Sequence, residues 1–389
     1  MKIAILGTGF VADYYMTTLP NHPSLQLAGV YDRDPERLKQ FCAFYDVRAY
    51  AGLDEVLADP DIAIVVNLTT PENHYEISKR TLEAGKHVYC EKPLAMRFEE
   101  AQDLVALASR RRLTLCAAPA NALSDANRLV RKALSDRAIG TPRLVYAQME
   151  DGPVFRGKWE TWRSRSGARW PGLHELEIGC TLEHSGYALS WLVSLFGPAT
   201  SLTAFSAVTF PDKGPGTEGI VMAPDFSVGC IQFRSGVVAR LTCGLAAPRD
   251  RSLTVLGDGG SLTVRDLWDN RSAVHLERLT EGKQLKMRVA DWLEDKVKRA
   301  LPWKPTPGRR LSYKGLRAEA ALPAFPSRID FAAGIAAQAR AIGSGIPAFF
   351  SGDVALHVTE LALALNNAHD LPQPYVLRSS FTQPAQLPA

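Results

Sequence analysis

MKIAILGTGFVADYY, residues 1–15, sets two glycines, Gly7 and Gly9, directly after an apolar run, and an alanine, Ala12, three residues further on. A strand has no reason to end on such weak formers unless the backbone itself has a contact to make. Lys2–Leu6 reads as a buried strand. Gly7 permits a tight turn out of it, and Gly9 removes the Cβ that would hold a phosphate away from the main chain. Ala12 is small enough for the following helix to pack closely on the sheet. Phe10 and Val11 complete the loop, and the start of the helix offers unpaired N–H groups and a partial positive charge.

By itself G-x-G-x-x-A is a weak signal, since a plain turn has the same residues. The context sharpens it: the motif follows a strand and opens a helix. A second apolar run, LQLAGVYD, ends on an acid, Asp32, 23 positions beyond Gly9. That is close to the spacing at which a carboxylate receives the adenosine ribose hydroxyls of a bound dinucleotide. Asp32 favours NAD, because its charge repels a 2′-phosphate. Arg33 beside it is able to accept that phosphate, so NADP stays open.

The first 120 residues continue the alternation. β-rich runs at Leu25–Tyr31, Ile62–Leu68, His87–Tyr89 and Thr114–Ala117 are separated by helical stretches, which predicts a parallel sheet covered on both faces. Beyond residue 120 the texture changes to long alternating strands joined by tight turns, the pattern of an antiparallel sheet. An apolar helix is expected at Cys180–Phe196 and two more near the end, at Asp330–Ile342 and Asp353–Asn367. Residues 270–325 give no assignable pattern. The fold class expected is α/β, with a dinucleotide-binding domain at 1–120 and an α+β domain with a large open, mostly antiparallel sheet at 121–389, serving substrate binding and oligomerisation.

Composition narrows the function. The net charge of +4 is small for 389 residues, and no dense basic block lies on a nucleic-acid-binding motif. The longest basic run, Lys296–Arg310, reads as a solvated loop. Six scattered cysteines include no C-x-x-C pair, so no metal site is expected and reduced thiols in a cytoplasmic protein fit best. No apolar stretch approaches the roughly 18 residues needed to span a bilayer, and the start lacks a signal-peptide layout.

A second stretch is more specific: VVNLTTPENHYEISKRTLEAGKHVYCEKPLA, residues 65–95. Asn67, Thr69 and Pro71 follow one apolar run and Glu91-Lys92-Pro93 follows the next, at the carboxyl edge where ligands of such sheets collect. Together with GTGFVA this resembles the glucose-fructose oxidoreductase, inositol dehydrogenase and MocA-type (Gfo/Idh/MocA) oxidoreductase family. The resemblance implies a Rossmann domain followed by an open-sheet domain. It assigns Gly7, Gly9 and Ala12 to the phosphate loop and Asp32 to the ribose. Thr69, Pro71, His74 and Glu91 fall beside the coenzyme, Lys92 at the nicotinamide and reacting hydroxyl, Asn121 near the nicotinamide, and Arg163 on the substrate.

The chain departs from the family where the usual D-x-G-x-H-x-x-D segment should stand, reading PGLHELEIGCTLEHSGYALSWLVSLFG instead. Counting back from Gly197 puts Glu183 on the usual acid and Tyr187 on the proton-transfer position. Glu177-x-Gly179-x-Thr181 is a competing register, and His184 is a third candidate. Residues 183, 184 and 187 share a helix face, which Cys180 joins as a pocket-lining candidate. Burial beside a cationic nicotinamide is expected to disfavour the Lys92 ammonium and so tune it for proton exchange. Trp159, Trp162, Trp170 and Arg165 are further pocket candidates, suited to a sugar or polyol.

The reading that follows is an NAD(P)-dependent oxidoreductase acting on a sugar, sugar derivative or inositol. The alternatives are a redox-neutral lyase or glycosidase with tightly bound NAD, and a non-catalytic dinucleotide sensor. Apolar alternation on both faces of the second sheet, as in VGCIQF and VVARLTC, predicts a homodimer or homotetramer.

Overall fold

A computed structural model describes residues 1–279, 285–297, 306–316, 320–324 and 327–382. Five parallel strands form the first sheet: β1 (Lys2–Leu6), β2 (Gln26–Tyr31), β3 (Ile64–Asn67), β4 (His87–Cys90) and β5 (Leu115–Ala117), in the order β2-β1-β3-β4-β5. The order reverses between β1 and β3, so the crevice at their carboxyl ends is the switch point where α/β sheets bind ligands. The connecting helices are α1 (Ala12–Thr18), α2 (Pro35–Tyr45), α3 (Leu53–Ala58), α4 (His74–Glu83) and α5 (Phe98–Arg111). Asp34 caps α2 by accepting from the Glu36 and Arg37 amides, ahead of Pro35 at the first helical position.

The switch point rests on Gly7. Its φ is +94°, and a Cβ there would meet the backbone oxygen of Leu68 at 2.6 Å and its carbonyl carbon at 2.8 Å. The neighbour is main chain at the end of β3, just past Asn67, and cannot turn aside. Gly7→Ala is therefore expected to lower stability by about 2 kcal/mol or more, from left-handed strain and a backbone collision together. Urea unfolding measures it; a loss below half that figure would mean the loop yields freely.

After α6 (Asp125–Ser135) the chain builds a nine-stranded sheet. Its strands are β6 (Pro142–Glu150), β7 (Ala199–Ala207), β8 (Phe226–Phe233), β9 (Val238–Gly244), β10 (Leu253–Gly257), β11 (Gly260–Val264), β12 (Val274–Arg278), β13 (Arg309–Arg310) and β14 (Tyr375–Val376). The order is β13-β12-β11-β10-β6-β9-β8-β7-β14, antiparallel except where β6 meets β9. The helices are α7 (Gly172–Ile178), α8 (Cys180–Phe196), α9 (Leu285–Val297), α10 (Ala333–Ser344) and α11 (Gly352–Asn366). The region 270–325, unassigned from sequence, supplies β12, α9 and β13; of the basic run, Lys296 and 306–310 are described and 298–305 lie outside the described residues.

The period-2 pattern puts Val145, Ala147, Ala239, Leu241, Ile231 and Val255 on the face covered by α8 and α11. Almost every residue of α8 is buried, because sheet, α11 and the first domain enclose it on all sides. The opposite face carries Tyr146, Val238 and Phe205, 39%, 38% and 58% exposed. Helix α10 returns to the first domain, where Gln338 Nε2 donates to the Val88 and Thr114 carbonyls at 2.9 and 3.2 Å. The two domains are thus packed across one continuous core.

Candidate active site

A cleft of about 1130 Å³ runs between the domains, lined at one end by Asp32 and Arg37 and at the other by Lys92, Glu183 and Tyr187. Gly9 faces it with nothing within 4 Å of where a Cβ would stand, and Phe10 and Val11 line it beside Gly9. Ala12 is fully buried and packs the helix onto the sheet. An open glycine, an acid at the end of β2 and a lysine at the end of β4, all on one cleft, fit a dinucleotide lying along the switch point.

Asp32 is already well satisfied. Its oxygens accept from the Thr8 amide (2.7 Å) and hydroxyl (3.0 Å), the Asp34 amide (2.9 Å), and Arg37 Nε (2.9 Å) and Nη2 (2.6 Å). Burial pulls its pKa up, but the Arg37 fork and the two amides outweigh that and hold it below the usual carboxylate range. Arg33 is exposed and lines the cleft mouth.

Below the cleft floor, Asn67 is fully buried. It donates to the His74 carbonyl and Ser78 Oγ and accepts from the Thr69 amide and hydroxyl. It shapes the Thr69–His74 loop and does not itself line the cleft, as Thr69, Pro71 and His74 do. His74 Nδ1 lies 2.6 Å from the Pro93 carbonyl and Nε2 lies 3.0 Å from the Thr69 carbonyl. A neutral ring donates to only one of them; burial nevertheless pushes its pKa down, overriding both carbonyls. Glu91 accepts from the Tyr15 hydroxyl at 2.7 Å and from the Lys92 amide at 3.0 Å, fixing the turn that aims Lys92.

Lys92 Nζ pairs with Glu183 Oε2, and both side chains are nearly enclosed. This corrects the sequence expectation for Lys92. Burial does press its pKa down, but Glu183 first, and then Tyr187, Glu91 and Glu175, lift it well above the ordinary lysine value. The ammonium is the favoured form because a carboxylate 91 positions away in sequence lies against it. Glu183 is correspondingly held low: burial opposes ionisation, and Lys92 overrides it.

Helix α8 delivers Glu183, His184 and Tyr187 to the cleft together. His184 Nδ1 approaches Asp151 Oδ2 at 3.0 Å, an ion pair whose alignment falls short of a hydrogen bond. Burial lowers the His184 pKa, but Asp151 more than restores it, and the ring is more basic than usual. Asp151 also accepts from Arg251 Nε at 2.6 Å, and Arg251 stacks over Trp268 at 3.6 Å. The Trp268 ring packs on Tyr187 at 4.7 Å, and burial raises the Tyr187 pKa, so the phenol stays protonated.

Several further sequence-derived candidates lie off the cleft. Cys180 is buried against β9, with Sγ 3.7 Å from the Cys243 carbonyl, because the start of α8, where it lies, rests on the sheet while Glu183, His184 and Tyr187 reach the cleft. Asn121 does not line the cleft either. It donates to the Tyr187 and Leu267 carbonyls at 3.0 and 3.2 Å, and so braces the Tyr187 and Trp268 segments. Arg163, Trp162 and Trp170 line the cleft, whereas Trp159 is buried behind them and Arg165 turns away to Thr17 Oγ1. Asp151, Arg251, Trp268 and Glu175 were not anticipated. Of these only Asp151, an acid at a strand end before a glycine, had a local signal.

Glu175 lines the cleft from α7, and burial together with the Glu183 charge raises its pKa to about 8. With the folded pKa above the unfolded one of about 4.3, the folded state binds the extra proton between those values. Its contribution is present in full below about pH 4 and is lost as pH rises through about 8. Glu175→Gln is thus expected to gain stability over the parent at pH 9 and not at pH 4, by on the order of 1–3 kcal/mol. Equal urea midpoints at both pH values would count against a half-buried, protonated Glu175.

Residues 1–118 match the oxidoreductase family with an NAD-binding Rossmann fold, and residues 127–263 match the GFO/IDH/MocA C-terminal domain. The chain belongs to the Gfo/Idh/MocA oxidoreductase family. It is an NAD-binding oxidoreductase of the dehydrogenase and reductase kind. An uncharacterized oxidoreductase of Synechocystis is 26% identical over 275 residues, covering 68% of this chain and 71% of that one. The bovine trans-1,2-dihydrobenzene-1,2-diol dehydrogenase is 26% identical over 269 residues, covering 68% and 74%. Among solved structures, the aldose-aldose oxidoreductase of Caulobacter crescentus, complexed with glycerol, superposes with a TM-score of 0.71 over 95% of this chain and 97% of that one, at 20% identity, a likeness of fold. No described helix is long and apolar enough to cross a membrane.

Proposed function

We propose that the protein moves hydride between a nicotinamide and a secondary alcohol or ketone of a sugar, a sugar derivative or a cyclitol. The observation that carries this is the enclosed Lys92–Glu183 pair on the same cleft as the open Gly9 loop and Asp32. Gly7, Gly9, Phe10 and Val11 would hold the coenzyme's phosphates, Asp32 with Arg37 its adenosine ribose, and Thr69, Pro71 and His74 the nicotinamide half. The bound coenzyme supplies the hydride acceptor or donor. Lys92, held as an ammonium, donates a proton to a ketone oxygen being reduced; in the oxidation it passes its proton to Glu183 and takes the one the alcohol loses. Glu183 takes up and returns the proton at Lys92 Nζ, with protonated Glu175 beside it. Tyr187 offers a hydroxyl donor to the same oxygen, while His184, paired with Asp151, and Arg163 bind neighbouring substrate hydroxyls. Trp162 and Trp170 line the cleft with aromatic surface that suits the C–H surface of a sugar.

The test is a spectrophotometric screen of sugars, inositols and sugar acids with NAD and NADP in parallel. Accumulating NAD(P)H with one of them supports the reading. Substrate consumption without net NAD(P)H favours redox-neutral chemistry, and coenzyme binding without turnover of any substrate favours a sensor. The exposed face bearing Tyr146, Val238 and Phe205 supports a homodimer or homotetramer built through the second sheet. Light scattering at micromolar concentration is expected to give twice or four times the chain mass, and a monomer would remove that part of the reading.

A further inference from the structure

We infer that the hairpin Trp162–Trp170 of the second domain is a wall of the coenzyme site, and that its contact with Asp13 governs how slowly the dinucleotide leaves; this rests on the dinucleotide reading above. The cleft has two long sides. One is the glycine loop with Asp32, Arg37 and Gln40. The other includes Arg163, Gly167, Ala168 and Arg169, so the hairpin runs along the cleft as far as the adenosine end.

The hairpin is a built element. Arg163 and Arg169 pair across it, the Ser164 amide donates to the Ala168 carbonyl at 2.9 Å, and the Trp170 amide to the Trp162 carbonyl at 3.1 Å. Its tip is fastened to the other domain. The Ser166 amide and hydroxyl each donate at 2.8 Å to a different oxygen of the Asp13 carboxylate. Asp13 is 1% exposed, on the helix that the glycine loop opens, and its remaining side-chain donor is the Tyr45 hydroxyl at 2.6 Å. The approach is close: at Gly167, with φ +95°, a Cβ would stand 2.1 Å from Gln40 Nε2.

A carboxylate this buried is costly to keep unless its oxygens are filled by donors, and at Asp13 two of the donors come from a residue 153 positions away in the other domain. A dinucleotide reaching from Asp32 to Lys92 lies between this hairpin and the glycine loop. Its departure is expected to be easier once the tip lifts from Asp13. Bonds to a buried carboxylate are the strong kind, so they hold the wall closed across many encounters with solvent.

The experiment is stopped-flow displacement on the full chain. Protein is loaded with NADH, chased with excess NAD, and followed by energy transfer from tryptophan to the reduced nicotinamide. Ser166→Ala is expected to release NADH about tenfold faster, the scale of one lost bond to a charged group. Asp13→Asn, which keeps the shape and removes the charge, is expected to do the same. The thermal midpoint of each coenzyme-free variant is measured alongside, so that general loosening of the fold is seen separately. Unchanged release rates in both folded variants would overturn the role of the hairpin and leave the dinucleotide reading standing. Failure of the parent protein to bind either coenzyme by calorimetry would overturn both.

Discussion

Replacing Lys92 by alanine is expected to lower turnover at least about a hundredfold, the scale of a lost proton-transfer group, while leaving coenzyme affinity nearly unchanged. The asymmetry comes from where the residue sits. Its backbone is fixed by Glu91, which keeps Tyr15 and the Lys92 amide as partners whatever the side chain at 92. The glycine loop and Asp32 are held by the Thr8 and Asp34 amides and by Arg37, so their geometry survives. What disappears is the ammonium proposed to face the reacting oxygen. The substitution also leaves Glu183 buried with its cation gone, so its proton affinity rises. Lys92→Ala should therefore titrate with a carboxyl of raised pKa in the cleft, seen as a new protonation step above the usual carboxylate range by NMR of Glu side chains. Steady-state kinetics with calorimetric coenzyme titration decides the main point. Unchanged turnover would take Lys92 out of the chemistry, and a matching loss of coenzyme binding would make its role structural.

The first domain was readable because its signals are local. A glycine loop, an acid closing the next strand and Glu91-Lys92-Pro93 each sit within a few residues of the element that positions them. Helical periodicity likewise placed Glu183, His184 and Tyr187 on one face, and the structure brings all three to the cleft. Periodicity could not say where along α8 the sheet ends and the cleft begins, so Cys180 was placed on the wrong neighbour. The charge state of Lys92, the brace made by Asn121, and the arrival of Asp151, Arg251 and Trp268 depend on contacts between strands and helices far apart in the chain. A single sequence does not express such pairings, because each partner is unremarkable in its own segment.

Arg37, only five positions beyond Asp32, was missed for a different reason, since its pairing with the acid is a side-chain choice that the spacing does not express, and it bears on the choice of coenzyme. Asp32 alone argues for NAD, since a free carboxylate repels a 2′-phosphate. Here its two oxygens are already met by five donors, two of them from the Arg37 guanidinium. A carboxylate has about four lone-pair sites, so ribose hydroxyls bind Asp32 only if Arg37 gives up its place. With Arg37 in place the acid is neutralised, and Arg37 together with exposed Arg33 presents cationic donors at the cleft mouth. The parent protein is accordingly expected to use NADP as well as NAD. In Arg37→Ala the Asp32 charge is uncovered and the phosphate loses its partner. Both effects act against NADP and only the first touches NAD, where it helps by freeing the carboxylate for ribose. Loss of charge-assisted hydrogen bonds worth about 1.5–3 kcal/mol, with added repulsion, should lower kcat/KM for NADP roughly a hundredfold. The value for NAD should hold or rise. Parallel kinetics with the two coenzymes reads the ratio directly. If it stays the same in the variant, the Arg37–Asp32 pair plays no part in coenzyme choice, and Asp32 binds ribose with Arg37 already swung aside.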